Sequence, residues 1–262
     1  LIFRTQEISI SYLESLYLAF MGLFFNLFFP SAIGGDVAKA YYAYKHTGKK
    51  IESMSSVFSD RLIGFIAIII MALVALGVAS KQFDDPRVYQ IIFVFLGIMI
   101  FSVLFFASKR FAGIFGFLQV LIPSEKLKHR LGELYHAIYG FKHHKGMLVA
   151  SLLISAVAQT FFILVHYFLA RGLGVQIGMS VFFLLVPVVA IVSMAPSVGG
   201  LGVREAGMII FFKKFMLSER ALALSILLDM LVYGVSLIAG IFYAFHGGLK
   251  KKEIHEMEEL ES

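Results

Sequence analysis

The chain has 262 residues, of which 59% are hydrophobic and 15% are charged, and its formal net charge is +6 with a mean hydropathy of +0.86. Soluble domains average about half apolar and a quarter charged residues, so this composition excludes an ordinary soluble enzyme and predicts an integral membrane protein. Cysteine is absent, which excludes disulfides, thiolate metal sites and a cysteine nucleophile.

The first apolar run ends in a motif that interrupts a helix. The letters PSAIGGDVAKAY, residues 30–41, place Pro and Ser, then Gly34 and Gly35, ahead of Asp36 and Lys39. Proline removes a backbone N–H and glycine adopts angles that other residues resist, so together they uncouple two half-helices. A half-helix that restarts at Asp36 presents free N–H groups and a positive dipole end, which favours a phosphate or carboxylate.

Four further apolar runs are long enough to cross a bilayer, since a spanning helix needs about 20 residues. In chain order they are 62–79, 88–107, 147–170 and 221–245. The chain begins at Leu1 with no initiator methionine, which leaves room for an upstream helix.

The segment between the second and third spans is basic and differs from the rest. FAGIFGFLQVLIP is too short and too rich in glycine for a span, so we expect it in the membrane interface. SEKLKHRLGELYHAIYGF has apolar residues at helical spacing and predicts a helix along the cytoplasmic leaflet. A plain connector and a regulatory element are both open for this segment.

The helix break recurs in the second half of the chain, in PSVGGLGVREAG, residues 196–207. This motif again follows Pro and Ser with glycines and a charged pair: Gly199, Gly200, Gly202, Arg204 and Glu205. A second pair of similar stretches follows the two breaks. SDRLIG, with Asp60 and Arg61, follows the first break, and LDMLVYG, with Asp229, follows the second. Two echoes in the same order predict an internal repeat.

Basic residues cluster beside the apolar runs, where they report orientation and contact with anionic lipid rather than nucleic acid. We expect the cytoplasmic side to hold the clusters within 39–50, 109–145 and 250–252. The C-terminus lies on that side only if the second motif forms a re-entrant hairpin instead of a crossing. The first motif then forms a hairpin from the opposite side, which gives inverted repeats.

The predicted fold class is therefore an all-α integral membrane protein. It is a polytopic helical bundle with two inverted repeats, each holding a Pro/Gly-broken, re-entrant helix. The predicted divisions are a first membrane repeat, a cytoplasmic or interfacial basic connector, a second membrane repeat and a charged cytoplasmic tail, at 1–107, 108–146, 147–246 and 247–262.

Charged residues in or beside the apolar runs are the candidate site. A charge at the membrane centre costs about 2.5–3.5 kcal/mol on insertion scales, so these side chains should face inward in pairs. Asp36 and Lys39, three apart, can meet on one helix face, whereas the adjacent pairs need partners on other segments. The predicted substrate-binding set is Gly34, Gly35, Asp36, Lys39, Asp60, Arg61, Gly199, Gly200, Gly202, Arg204, Glu205 and Asp229.

Within that set, Arg61 and Arg204 are predicted to hold a lipid phosphate together with the half-helix N-termini. The four acidic members balance the arginines or engage a cationic headgroup. Two plainer interpretations remain: Asp36 as an N-cap, and Asp60 with Arg61 as the interfacial start of a helix.

Other polar residues carry less weight. His166, Gln159 and Asn26 are predicted to make interhelical hydrogen bonds, with a proton relay as the alternative for the first two. The pair His143 and His144 has no companions for a metal site, and we expect no cofactor.

PSAIGGDVAKAY, SDRLIG and especially PSVGGLGVREAG resemble the motifs of the lysylphosphatidylglycerol synthase transmembrane-region family. These are flippase-like membrane proteins that include the membrane part of the multiple peptide resistance factor. The first motif departs from the family pattern at Lys39, where arginine is more frequent. The resemblance implies an all-helical bundle with inverted repeats and re-entrant helices, and movement of a lipid between leaflets. It does not carry over the synthase activity, because residues 247–262 are too few for an aminoacyl-transferase domain.

The predicted function is a flippase-like lipid translocase, not an enzyme, in the cell (inner or plasma) membrane. Its predicted partners are membrane lipids, anionic or aminoacylated phospholipid or glycolipid, and a separately encoded lipid-modifying enzyme. Two alternatives are a non-transporting scaffold or regulator of a lipid or polysaccharide enzyme, and a membrane-embedded lipid transferase. The transferase needs a nucleophile or metal site that the sequence does not suggest. No Walker A loop appears, so ATP is not predicted as the energy source.

Overall fold

The computed structural model describes residues 1–29, 34–79, 85–114, 124–195, 197 and 200–245. Within these ranges every regular element is helical. The α-helices are α1 Ile2–Thr5, α2 Tyr12–Phe25, α3 Gly34–Thr47, α4 Lys50–Ala79, α5 Pro86–Ala107, α6 Lys109–Ile114, α7 Glu125–Gly140, α8 Lys145–Gly172, α9 Met179–Val192, α10 Val203–Phe212 and α11 Ser218–Phe245. A short 3-10 helix, Phe141–His143, links α7 to α8.

Four helices, α4, α5, α8 and α11, are long and apolar enough to cross a membrane. They contain the four spans predicted from hydropathy, so the chain is a multi-pass membrane protein. Two shorter apolar helices, α2 and α9, have only 14 residues each. At 1.5 Å per residue each reaches about 21 Å, less than the ~30 Å of a hydrocarbon core.

The short helix α9 lies at the centre of the largest hydrophobic core. Leu184, Leu185 and Val188 have no exposed surface, and neighbours on every side of the helix are buried as well. It packs against α4, α8 and α10. Protein therefore surrounds the middle of α9.

Two groups of three helices have the same pattern of contacts. In the first group α2 packs on α3 and α3 on α4, and in the second α9 packs on α10 and α10 on α11. The groups also meet reciprocally, because α4 packs on α9 while α11 packs on α2. This reciprocal packing places the starts of α3 and α10 in the interior between the groups.

The amphipathic connector helix is present as α7, so its helical periodicity is confirmed. It packs on α4 and α5, where Tyr135 stacks on Phe106 and Ile138 is buried. Its predicted position along a leaflet stays a prediction. Outside the described residues lie 30–33, 80–84, 115–123, 196, 198, 199 and 246–262. Parts of both predicted breaks, most of the predicted interfacial segment and the predicted tail fall there.

Candidate functional site

A cavity of about 600 Å³ lies between the two groups of helices. Side chains of α2, α3, α4, α8, α9, α10 and α11 line it, so both halves of the chain contribute. Its polar lining comprises Asp36, Lys39, Asp60, Arg61, Ser155, Gln159, His166, Ser193 and Arg204. Five of these nine were predicted from the sequence as substrate-binding residues.

Asp36 contacts both basic residues of a charged cluster in the first half of the chain. Its carboxylate accepts a hydrogen bond from Arg61 Nε at 2.7 Å and one from Lys39 Nζ at 3.4 Å. The Asp36 side chain is only 15% exposed, so the interaction is shielded from water. The predicted meeting of Asp36 and Lys39 on one helix face is confirmed, and Arg61 has the partner on another segment that it required.

Glycines bring α2 and α3 into close contact beside this cluster. A Cβ atom at Gly35 would collide with the carbonyl oxygen of Gly22 and the side chain of Asn26, and one at Gly22 would collide with the stem of Lys39. A Cβ atom at Gly34 would likewise collide with the side chain of Phe29. Gly34 and Gly35 therefore form the first turn of α3 and serve its packing, two residues earlier than the predicted restart at Asp36.

Asn26 satisfies one of the free N–H groups at the start of α3. Its side-chain oxygen accepts a hydrogen bond from the backbone N–H of Gly35 at 2.8 Å. This bond joins the end of α2 to the start of α3, as the prediction of an interhelical hydrogen bond required. Sequence reasoning missed Gly22, whose only signal was a glycine inside an apolar run.

The second half of the chain contributes Arg204, in the first turn of α10. Its guanidinium is paired with the carboxylate of Asp229 on α11, which again supplies the predicted partner on another segment. This arginine and this aspartate are each less exposed than their counterparts in the first pair. Arg204 is 19% exposed against 37% for Arg61, and Asp229 is 7% exposed against 15% for Asp36. Arg204 also lines the cavity, while Asp229 and Glu205 lie behind it and do not.

The two ion pairs have the same separation along the chain and opposite polarity. Asp36 and Arg61 are 25 positions apart, and so are Arg204 and Asp229. In the first pair the acid lies on the short helix and the base on the long one, whereas in the second pair the base lies on the short helix.

Glycine has a conformational role in the second motif. Gly200 and Gly202 have φ angles of +87° and +80°, a region that side chains disfavour. A Cβ atom at Gly200 would also approach the Arg204 guanidinium to 2.8 Å. These two residues therefore turn the chain into α10 and leave room for Arg204, while Gly199 lies outside the described residues.

Asp60 faces two cavities at once. It lines the 600 Å³ cavity and a neighbouring one of about 250 Å³, together with Lys39 and Ser155, which also line both. Among the residues that the structure describes, its carboxylate makes no hydrogen bond or ion pair, although Lys39 and Arg61 lie close enough to attract it. The Asp60 carboxylate therefore faces both cavities and forms no hydrogen bond with the described residues.

His166 is buried on α8 and lines the same cavity. Its Nδ1 lies 2.9 Å from the carbonyl oxygen of Phe162, one turn earlier on the same helix. This bond is intrahelical, so the predicted interhelical partner was wrong. Gln159 lines the cavity one turn further back. Within the described ranges, no group of three side chains suited to a metal ion occurs.

The paired charges make the cavity an amphiphilic site. Guanidinium and ammonium groups from α3, α4 and α10 face one space, and carboxylates hold each of the two arginines in position. Arginine binds phosphate oxygens well because its planar group donates two parallel hydrogen bonds. The remaining lining is apolar, including Leu23, Phe65 and Val189.

Comparison with known proteins gives one family. No curated protein and no solved structure matches the chain. The family model described as "Lysylphosphatidylglycerol synthase TM region" matches residues 1–240. Since the match spans nearly the whole chain, this protein belongs to the lysylphosphatidylglycerol synthase TM region family.

Proposed function

We propose that this protein is a lipid translocase, which moves a phospholipid, an aminoacylated phospholipid or a glycolipid between the leaflets of the cell membrane. The observation that carries the proposal is the cavity between the two halves, with Arg61, Lys39 and Arg204 facing it. Ligand sites commonly measure about 300–1,000 Å³, so 600 Å³ suits a polar headgroup but not its acyl chains as well.

The directions of the helices support two inverted repeats. Near their starts, α4 and α8 line the same small cavity, through Ser56 and Ser151, and further along they line the large one, through Ile68 and His166. These two helices therefore run the same way. In contrast α11 runs against α8, because Arg220 in its first turn donates to the carbonyl of Gly174 just after the end of α8, at 3.3 Å.

With α4 and α11 opposed in direction, the reciprocal packing of the two helix groups is that of halves related by a two-fold axis in the membrane plane. The hairpins α2–α3 and α9–α10 are then the re-entrant elements of each half. The starts of α3 and α10 then approach the cavity from opposite sides, and each half contributes one polar site to it through Asp36 and Arg204. The C-terminal end of α11 lies on the cytoplasmic side in this arrangement.

The headgroup crosses by successive contacts while its acyl chains stay in lipid. A phosphate binds Arg204 or Arg61 in competition with Asp229 or Asp36, so a cation that is already desolvated receives the anion. The unpaired carboxylate of Asp60 accepts the ammonium of an ethanolamine or aminoacyl group. Each half offers one such position, and the cost of moving a polar group through hydrocarbon is divided into smaller steps.

Reconstitution in vesicles tests this proposal. We expect the purified protein to speed leaflet-to-leaflet movement of a labelled phospholipid, and Arg204→Ala to reduce that rate at least tenfold. Lys213→Ala is the matched control, because Lys213 is an exposed basic residue at the end of the same helix. If folded protein moves no lipid from a native extract, or if Arg204→Ala moves lipid as fast as the original chain, the proposal is wrong.

A further inference from the structure

A second cavity, of about 250 Å³, lies beside the large one near the starts of α4 and α8, and we call it the serine cavity. Its polar lining consists of four serines, one lysine and one aspartate: Ser15, Lys39, Ser56, Asp60, Ser151 and Ser155. The two cavities adjoin, because Lys39, Asp60 and Ser155 line both. Neither arginine of the large cavity lines the serine cavity, so phosphate binding at the arginines gives it no role.

The hydroxyl group of Ser56 is enclosed and unsatisfied. Ser56 is 1% exposed, and its Oγ has no hydrogen-bond partner among the described residues. Other helical serines in this chain donate to the carbonyl oxygen four residues earlier, as Ser102 and Ser193 do at 2.8 Å and 2.7 Å. A buried hydroxyl without a partner destabilises a protein unless something else satisfies it. Because Ser56 lines the serine cavity, a molecule held there supplies the missing hydrogen bond.

The groups in the serine cavity match a ligand that both donates and accepts hydrogen bonds. A serine hydroxyl does both, whereas the Asp60 carboxylate accepts and the Lys39 ammonium donates. Hydroxyl groups on a ligand can bond to all three kinds of partner. An ammonium group can reach Asp60 from the large cavity, but in the serine cavity it accepts nothing and is repelled by Lys39. Apolar side chains, including Leu18, Val57 and Ile154, face the carbon atoms of the ligand.

We propose that the serine cavity binds a polyhydroxyl headgroup, the glycerol or sugar portion of a membrane lipid whose phosphate lies at Arg61 in the large cavity. Sites for whole ligands commonly measure roughly 300–1,000 Å³, so about 250 Å³ suits one part of a headgroup. Lys39 and Asp60 then contact the headgroup between its phosphate and its hydroxyl end. The inference rests on the proposed translocase function and narrows the substrate to lipids that carry several headgroup hydroxyls.

Binding to the purified protein in detergent tests the serine cavity without any lipid movement. Native mass spectrometry compares phosphatidylglycerol with phosphatidylpropanol, which has the same phosphate and carbon chain but lacks both headgroup hydroxyls. We expect the original protein to prefer phosphatidylglycerol about tenfold, and the double variant Ser56→Ala, Ser151→Ala to reduce the preference to about twofold. Equal binding of the two lipids by the original protein, or an unchanged preference in the double variant, overturns the proposal.

The double variant Ser53→Ala, Ser59→Ala is the matched control. Both serines are buried on α4 with unsatisfied Oγ atoms, as Ser56 is, but neither lines either cavity. The control should keep the preference for phosphatidylglycerol, because it removes the same chemical groups from the same helix outside the site. An equal loss of preference in the control would trace the effect to packing of α4 and overturn the proposal.

Two further lipids define the chemistry of the ligand. Phosphatidylinositol, with a ring of hydroxyls, represents the sugar form, and its preference over phosphatidylpropanol would extend the site from glycerol to sugars. Phosphatidylethanolamine has an ammonium group and no headgroup hydroxyl, so the original protein and the Ser56, Ser151 variant should bind it equally. If that variant loses phosphatidylethanolamine as strongly as phosphatidylglycerol, the cavity takes an ammonium group and the proposal is wrong.

Movement in vesicles separates this inference from the translocase function. The original protein should move labelled phosphatidylglycerol several-fold faster than labelled phosphatidylpropanol, and the Ser56, Ser151 variant should move both at similar rates. Equal rates in the original protein overturn the role of the serine cavity and leave the translocase function standing. Preferential binding of phosphatidylglycerol without movement of either lipid counts against the translocase function and leaves the polyhydroxyl site standing.

Discussion

Asp36 and Arg204 occupy the first turns of two short helices, and each is held by a side chain 25 positions further along the chain. Both pairs are desolvated on one side and face the cavity on the other. A charge in such a place is stable only while its partner remains, because the cost of burying it does not vanish when the partner is removed. Pairing is thus a condition for the stability of these partly buried charges.

A double-mutant cycle at the first pair measures this dependence. Asp36→Asn and Arg61→Gln should each lower the free energy of unfolding by about 1–3 kcal/mol, because each removes one partner of a partly enclosed, charge-assisted hydrogen bond. The double variant should cost less than the sum, with a coupling of about 0.5–3 kcal/mol, since each single variant already removes the contact between Asp36 and Arg61. Urea unfolding in detergent gives the three values, and strictly additive costs would contradict a direct ion pair.

At the scale of helices, α2 and α3 lie close together because glycines, which have no side chain, face the opposite helix. The approach of Gly22 to Gly35 brings the two backbones together, lets Asn26 reach the start of α3 and seats the stem of Lys39 against α2. Asp36 follows Gly35 directly, so this contact also fixes the position of the first ion pair. Small residues are the usual means of close helix approach in membranes.

Gly35→Ala should therefore destabilise the protein although alanine favours helices. We expect a loss of about 1–3 kcal/mol from forced separation of α2 and α3, together with slower lipid movement. Gly97→Ala, in the middle of α5 where a Cβ meets open space, is the matched control and should be neutral or slightly stabilising. Thermal unfolding in detergent compares them, and equal stability of the two variants would show that the contact is not tight.

In the proposed topology the whole molecule combines four long helices with two hairpins that do not cross, and this topology has a direct test. Because the chain has no cysteine, single cysteines can be introduced without changing a background residue. A re-entrant hairpin returns its chain to the side from which it came. The exposed positions before α2 and near the end of α3 then share one side, and those before α9 and at the start of α11 share the other.

Membrane-impermeant thiol reagents should accordingly label Ser9→Cys and His46→Cys from the same side of sealed vesicles. Gln176→Cys and Glu219→Cys should be labelled from the opposite side. All four positions are exposed, so lack of labelling reports the membrane and not burial in the protein. Labelling of Ser9→Cys and His46→Cys from different sides would mean that α2 and α3 together make a single crossing of the membrane, and the inverted-repeat proposal would fail.

Local pattern predicts part of this site and tertiary packing decides the rest. The spans, both charged motifs and the contact of Asp36 with Lys39 follow from hydropathy and helix periodicity, which act within one segment. The partners of Arg61 and Arg204 do not, because they depend on which helices pack together. Gly22 was missed for the same reason: a glycine in an apolar run becomes informative only when Gly35 is known to face it.

The opposite polarity of the two ion pairs has a consequence for how the halves assemble. If the two halves exchanged their short helices, α3 would pack against α11 and α10 against α4. In that arrangement Asp36 would face Asp229, and Arg204 would face Arg61, so both contacts would be repulsive. If both short helices carried the acid, the exchanged form would be as well paired as the native one. The reversed charges therefore favour packing of each short helix against the long helix of its own half.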